Sequence, residues 1–274
     1  MRKIIIPILS LVILGILLLV YRKSDTKIEP SNSPIITSSN LTFSYRKYDH
    51  VSRFYKKLSV NATEVCLKNN IPPAALLAIA GLESGWNKGY ISRITGNILS
   101  LGAKKSDVEL PSLTLARLVE TNELLFDSLE ILKYNKNEIT WETRPSSLKK
   151  DYRPAKWAGT PYNLAYFKYH PEAKAAAHKK NMEEFVTTFI SRNSRLKAYR
   201  DSRAQMDSMV AEFGKEILLE EQTAIVFING IGGKKNSYNY RKSWPKKVIQ
   251  IIQRAGLATL TNDIYNGKSF EESW

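Results

Sequence analysis

The stretch Ile71 to Gly85, IPPAALLAIAGLESG, constrains this chain more than any other. Two prolines open it and a glycine closes it. Proline fits a helix's first turn and glycine ends one, so the punctuation predicts a helix from Pro72 to Ser84. Nothing between Pro72 and Leu82 is charged, and a helix apolar on every side is a buried helix. Glu83 breaks the pattern. Leu76, Ile79 and Ala80 form the buried stripe, and Glu83 projects from the same face at the helix's C-terminal end. Partial burial and the negative end of the helix dipole both penalise an ionised carboxylate there. Both push its pKa upward, toward an acid that keeps its proton near neutral pH, as a general acid must. An ion pair with one of the 41 Lys and Arg residues, or a capping role, is the alternative reading of the position.

The 274 residues are 43% hydrophobic, enough for one large domain or two small ones with a proper core. A formal charge of +15 points to anionic surroundings: nucleic acid, a membrane surface or an acidic polymer. Residues Ile4 to Tyr21 carry no charge and are closed by Arg22-Lys23. As a helix they span roughly 27 Å, close to a bilayer's hydrocarbon core. No small-residue cleavage site precedes Arg22, so residues 1–22 are expected to be an uncleaved anchor in the cytoplasmic membrane. Residues 23–43, rich in Ser, Asn, Thr and Pro, read as a flexible tether. Residues 44–274 then form the working domain, facing the periplasm or cell wall. An exported basic domain meets envelope polymer rather than DNA, and no nucleic-acid motif is present.

Cys66, the single cysteine, falls in an apolar helical row and reads as core. His50, His170 and His178 lack zinc-site spacing, so no metal is expected. Asn40 and Asn61 fit the glycosylation sequon, a short and common match. Helical spacing runs from Tyr48 to Asn69. A helix-like piece is expected over 112–133, a small β-containing lobe over 138–169, and helices over 174–200, 201–221 and 245–255. The tail from Leu257 reads as irregular. The fold class is mostly α, with a helical lobe and a small β-containing lobe.

Thirteen residues after Glu83 comes the glycine-framed apolar turn GNILSLGA, Gly96 to Ala103. Together, LESGWNKGY and TGNILSLGAKK resemble the glucosaminidase family of bacterial peptidoglycan hydrolases, including its flagellar-type and Bax-like members. That family's pattern is a helix ending in E-S-x-W/Y-G followed by G-N-N-L-F-G-I-K. Glu83, Ser84, Gly85 and Trp86 match the first part with Gly and Trp exchanged. Gly96, Asn97, Leu99 and Gly102 match the second, with Ile98 in place of an Asn and one extra residue. YFKYHPEAKAAAHKKNMEEFVTTFI and YNYRKSWPKKVIQIIQRAGL resemble later family segments more loosely.

The resemblance implies a lysozyme-like α+β fold with a cleft between two lobes. It implies β-1,4 peptidoglycan glycan as the substrate, cut at N-acetylglucosamine, with Glu83 as general acid and no organic cofactor. The family's second acidic residue lies in a Thr-x-Glu stretch, which fits Glu142 in Thr140-Trp141-Glu142, a candidate base; Asp107 and Glu109 are alternatives. Trp86 and Tyr199 are candidate sugar platforms, and Asn97 either bonds sugar or holds a left-handed turn. Trp141, Trp157 and Trp244 read as core anchors. A lytic transglycosylase or muramidase on the same fold, and a noncatalytic wall-binding scaffold, are the rival readings.

Overall fold

The computed structural model describes residues 43–274. The expected anchor, and all of the tether but Phe43, lie outside them. Among the described residues no helix is long and apolar enough to cross a membrane. The described residues are mostly helical, with one small antiparallel sheet.

Helix α1 (Asp49–Lys68) buries Val51, Phe54, Tyr55, Leu58, Ala62, Val65 and Cys66 along one side. Burial pushes the Cys66 thiol pKa well up, so it packs as an inert hydrophobe. Helix α2 (Pro73–Ser84) is buried without interruption from Pro73 to Gly81. It needs cover on every side, and α1, α8 (Glu221–Ile231), α9 (Trp244–Ala255) and α10 (Leu257–Tyr265) supply it. The helix ends where Gly85 turns left-handed at φ 57°, and Trp86 N–H returns to Gly81 O at 2.9 Å. This glycine-closed terminus satisfies carbonyls that would otherwise be orphaned. Trp86 and Asn87 continue the left-handed path at φ 52° and 62°, a strained route for a Trp.

Helix α3 (Tyr90–Thr95) leads through Gly96 into the sheet region. Gly96 has φ 72°, and a Cβ there would lie 2.8 Å from that of Ala177, so only glycine fits. Strands β1 (Leu113–Leu118), β2 (Leu124–Leu125) and β3 (Ile139–Arg144) pair antiparallel in the order β2-β1-β3, with Leu115 opposite Glu142. The helix-like piece expected over 112–133 is therefore largely a hairpin, with a single helical turn α4 (Ser128–Ile131). Leu115 and Leu118 satisfy a helical spacing, but burial of Leu113 and Leu115 with Thr114 exposed is period two. Trp141, read as a core anchor, is 61% exposed: β3 is an edge strand and its outer face is bare.

After the short α5 (Tyr166–Tyr169) comes α6 (Pro171–Glu184), which runs into a π-helical turn, Phe185–Phe189. The chain then bends before α7 (Lys197–Phe213), so the single helix expected over 174–200 is two. The helix expected over 201–221 ends at Phe213, and a 3-10 turn (Lys215–Leu219) leads into α8. The helix expected over 245–255 is α9. The tail is not irregular. It forms α10 and α11 (Phe270–Ser273), the latter opened by a Ser269–Glu272 capping box, and Trp274 stacks on Phe270 at 5.2 Å.

Candidate active site

Glu83 stands on the last turn of α2, where the helix emerges from the core. It lines two adjoining pockets of about 260 and 220 Å³. The first is walled by Ser100, Leu101, Gly102, Lys149, Phe189, Tyr199, Tyr238 and Asn239. The second is walled by Leu82, Asn239, Arg241, Ser243, Trp244 and Lys247. Five chain segments converge here: the end of α2, the 100–102 turn, Lys149, residues 189–199 from the kink into the first turn of α7, and the 238–247 stretch.

Burial raises the Glu83 carboxyl above its ordinary pKa. The indole N–H of Trp244, donating to Oε1 at 2.9 Å, and the charges of Lys149 and Arg241 pull the other way without overcoming it. That indole bond also sorts the two oxygens. The indole engages Oε1, and Oε2 receives no hydrogen bond from the described residues, which leaves it open to the pockets. The ring of Trp244 is buried while its N–H finds a carboxylate, so the residue is a core anchor and a site residue together.

The wall opposite is rigid for reasons written into the turn. Asn97 is buried. Its Nδ2 donates to Leu101 O at 2.8 Å and Lys150 O at 3.0 Å, and its Oδ1 accepts from Leu101 N–H at 2.9 Å. Asn181 Nδ2 reaches the same oxygen at 3.2 Å, and its Oδ1 takes the Leu99 N–H at 3.0 Å. Asn97 thus spends its amide on the backbone and presents none of it to the pocket; it holds the turn. Lys149 Nζ donates to Ser100 O at 2.7 Å, and the Tyr238 hydroxyl donates to Leu99 O. Beside the pocket, Lys150 bridges Asp107 and Glu184, both at 2.8 Å.

Of the other residues expected at the site, Tyr199 lines the Glu83 pocket, and burial keeps its phenol protonated. Trp86 does not line it. Its ring turns to the other side of the left-handed turn, donating to the Tyr55 hydroxyl at 3.2 Å and packing edge-on against Tyr45 and His50. Glu142 does not line it either, nor do Asp107 and Glu109. Both Glu142 oxygens are taken, one by Arg117 Nε at 2.8 Å and the other by Arg144. The bond from Arg117, seconded by Arg144, holds its carboxyl below the usual range. Glu83 is the one carboxylate lining the two pockets. Among the described residues no cluster of three or more His, Cys, Asp or Glu side chains is placed to hold a metal ion.

Lys149, Arg241 and Trp244 belong to the site and sequence reading placed none of them there; Tyr238, a weaker platform candidate than Trp86 or Tyr199 in the sequence, lines it too. The only available signal was Trp244, since a buried indole needs an acceptor for its N–H. Set against protein-family models, curated proteins and solved structures, the chain matches none.

Proposed function

We propose that the protein is a peptidoglycan hydrolase, an endo-β-N-acetylglucosaminidase on a lysozyme-like fold, with Glu83 as its general acid. It would be tethered to the cytoplasmic membrane by residues 1–22 and would work outside it on glycan strands. The observation that carries the reading is the Glu83 carboxyl: desolvated at a helix end, held by one indole, and open to two pockets. The motif resemblance supplies the polymer; the carboxyl supplies the chemistry.

In this reading Glu83 Oε2–H gives its proton to the glycosidic oxygen as the bond to the anomeric carbon breaks. The resulting carboxylate then takes a proton from the O–H group that attacks the anomeric carbon, a sugar hydroxyl or the water that opens an acetamido-derived intermediate. Tyr199 and Tyr238, kept protonated by burial, wall the subsite that a pyranose face would enter. Inverting and double-displacement mechanisms each need a second carboxylate near the first. Glu142, bound by two arginines, is a poor base. The pockets therefore favour a route in which the substrate provides the nucleophile, through its acetamido oxygen or a sugar hydroxyl. The second of these is the lytic transglycosylase reading, and the lone carboxylate is the observation that favours it.

The test is the identity of the ends released from purified peptidoglycan, by mass spectrometry with and without borohydride reduction. Reducible N-acetylglucosamine ends, absent with Glu83→Gln, are the expected result. Reducible N-acetylmuramic ends would make the enzyme a muramidase, and anhydromuramyl ends a transglycosylase. Binding without cleavage would leave a scaffold.

A further inference from the structure

A second cavity lies away from Glu83. It measures about 740 Å³ and shares no lining residue with the two pockets there. Its walls come from α1, the left-handed turn after α2, α3, the β1–β2 hairpin and α6, and they carry six cations: Arg53, Lys57, Lys88, Arg93, Arg117 and Lys174. Two are partly neutralised, Arg93 by Glu123 at 3.8 Å and Arg117 by Glu142 at 2.8 Å. Among the described residues, Arg53, Lys57, Lys88 and Lys174 have no carboxylate within ion-pair distance.

Gathering like charges in a concave site is costly, and two groups register it. Burial, with Lys57 and Arg93 adding to it, pulls the Lys174 ammonium down to about 8. His178, 5% exposed, is pulled down to about 3 by burial and by Lys174 and Lys57, so it is neutral. His178 lines the cavity and its Nε2 has no hydrogen-bond partner. His178 thus places a buried imidazole nitrogen without a protein partner in a wall whose cations no carboxylate neutralises.

We propose that this cavity is a binding site for a phosphate ester. A single carboxylate carries too little charge for four unpaired cations, whereas phosphate brings up to two charges and enough acceptor oxygens for ammonium, guanidinium and imidazole donors together. The space exceeds what the phosphate alone needs, and Trp86 and Tyr90 on its wall receive the organic part. The strained Trp86 gains a role here: its conformation turns the ring away from Glu83 and toward this cavity.

Calorimetric titration of the full-length protein in neutral detergent tests the site, with inorganic pyrophosphate and glycerol 1-phosphate as probes. Saturable binding is expected. Replacing the two exposed wall lysines, Lys57→Gln with Lys88→Gln, should weaken it about tenfold or more, on the order of one charge-assisted contact each. Removing the same charge elsewhere, at Lys105 and Lys180, should leave it unchanged. His178→Phe, checked for folding by circular dichroism, should also weaken binding. Micelles doped with phosphatidic acid, a phosphate monoester, or with phosphatidylcholine separate the sources. Pocket-dependent preference for the doped anionic lipid, competed by pyrophosphate, assigns a headgroup; binding of the soluble probes alone assigns a free phosphate monoester. No saturable binding, or equal loss in the pocket and control variants, overturns the proposal. None of these outcomes depends on glycan cleavage, so the site stands or falls apart from the hydrolase reading.

Discussion

Glu83 and Glu142 are the same side chain in opposite surroundings. The first sits at the end of a core helix, stripped of water and given one neutral donor. The second sits on an edge strand, gripped by two guanidinium groups, with nearly a third of its side chain exposed. Burial pushes the first pKa up, and the arginines push the second down. Divergent environments of this kind separate a proton donor from a permanently ionised group. The lesson is that charge pairing around a carboxylate is evidence against acid–base work, even where a motif points to it.

The largest expected effect follows directly. Glu83→Gln should slow glycan cleavage by about 10²–10⁴-fold, the usual contribution of a positioned acid. Glu142→Gln should cost less than about tenfold, since it removes a group whose proton affinity suits neither acid nor base. The rate of fragment release from purified peptidoglycan measures both. Equal losses would break the comparison and restore Glu142 as a partner in the chemistry.

A second effect concerns the turn that faces Glu83. Asn97→Ala strips two backbone groups of their partner inside the protein, Leu101 N–H and Lys150 O, and takes from Leu101 O one of its two donors, the other being the Lys150 N–H. Each buried group left unsatisfied costs about 1–3 kcal/mol, so the urea midpoint should fall clearly. Cleavage should fall with it, because Ser100–Gly102 would no longer be fixed. A stable, inactive Asn97→Ala protein would instead mean that its amide meets the sugar.

How far the sequence discloses all this depends on the range of the interaction. Helix α2 and its terminus were readable because prolines, an unbroken apolar run and Gly85 are local signals. The raised Glu83 was readable for the same reason. The hairpin was not, since six residues of β1 satisfy two periods and only the burial pattern decides between them. The wall of the site was least readable: Trp244 meets Glu83 across 161 positions, and Arg241 arrives on the same stretch. Trp86 shows the converse limit. Adjacency to Glu83 suggested a shared pocket, but three successive left-handed residues send its ring the other way.

The same pair of substitutions should also move stability in opposite directions. A carboxyl whose folded pKa is raised destabilises the fold above its unfolded pKa, where the unfolded chain ionises freely. Glu83→Gln should therefore raise the melting temperature at neutral pH, and the gain should vanish as pH falls below the ordinary carboxylate range. Glu142 has a lowered folded pKa, so its contribution is present above the unfolded pKa and lost on acidification through the folded one. Glu142→Gln should lower the melting temperature at neutral pH and converge with wild type in acid. Melting curves over a pH series measure both, and shifts of the same sign would show that the two sites do not differ electrostatically.

The smallest expected effect sharpens the comparison most. Arg241 is exposed and its charge opposes the burial that raises Glu83. Removing it with Arg241→Gln takes away stabilisation of the carboxylate, so the Glu83 pKa rises further. In the proposed reaction Glu83 acts in its protonated form, so the alkaline limb of kcat/KM should move to higher pH. The displacement should shrink in high salt, where an exposed charge is already screened. Arg144→Gln is the matched control, since it acts on Glu142 and should leave that limb in place. An alkaline limb that follows Arg144 and ignores Arg241 would transfer the titrating group from the helix end to the strand.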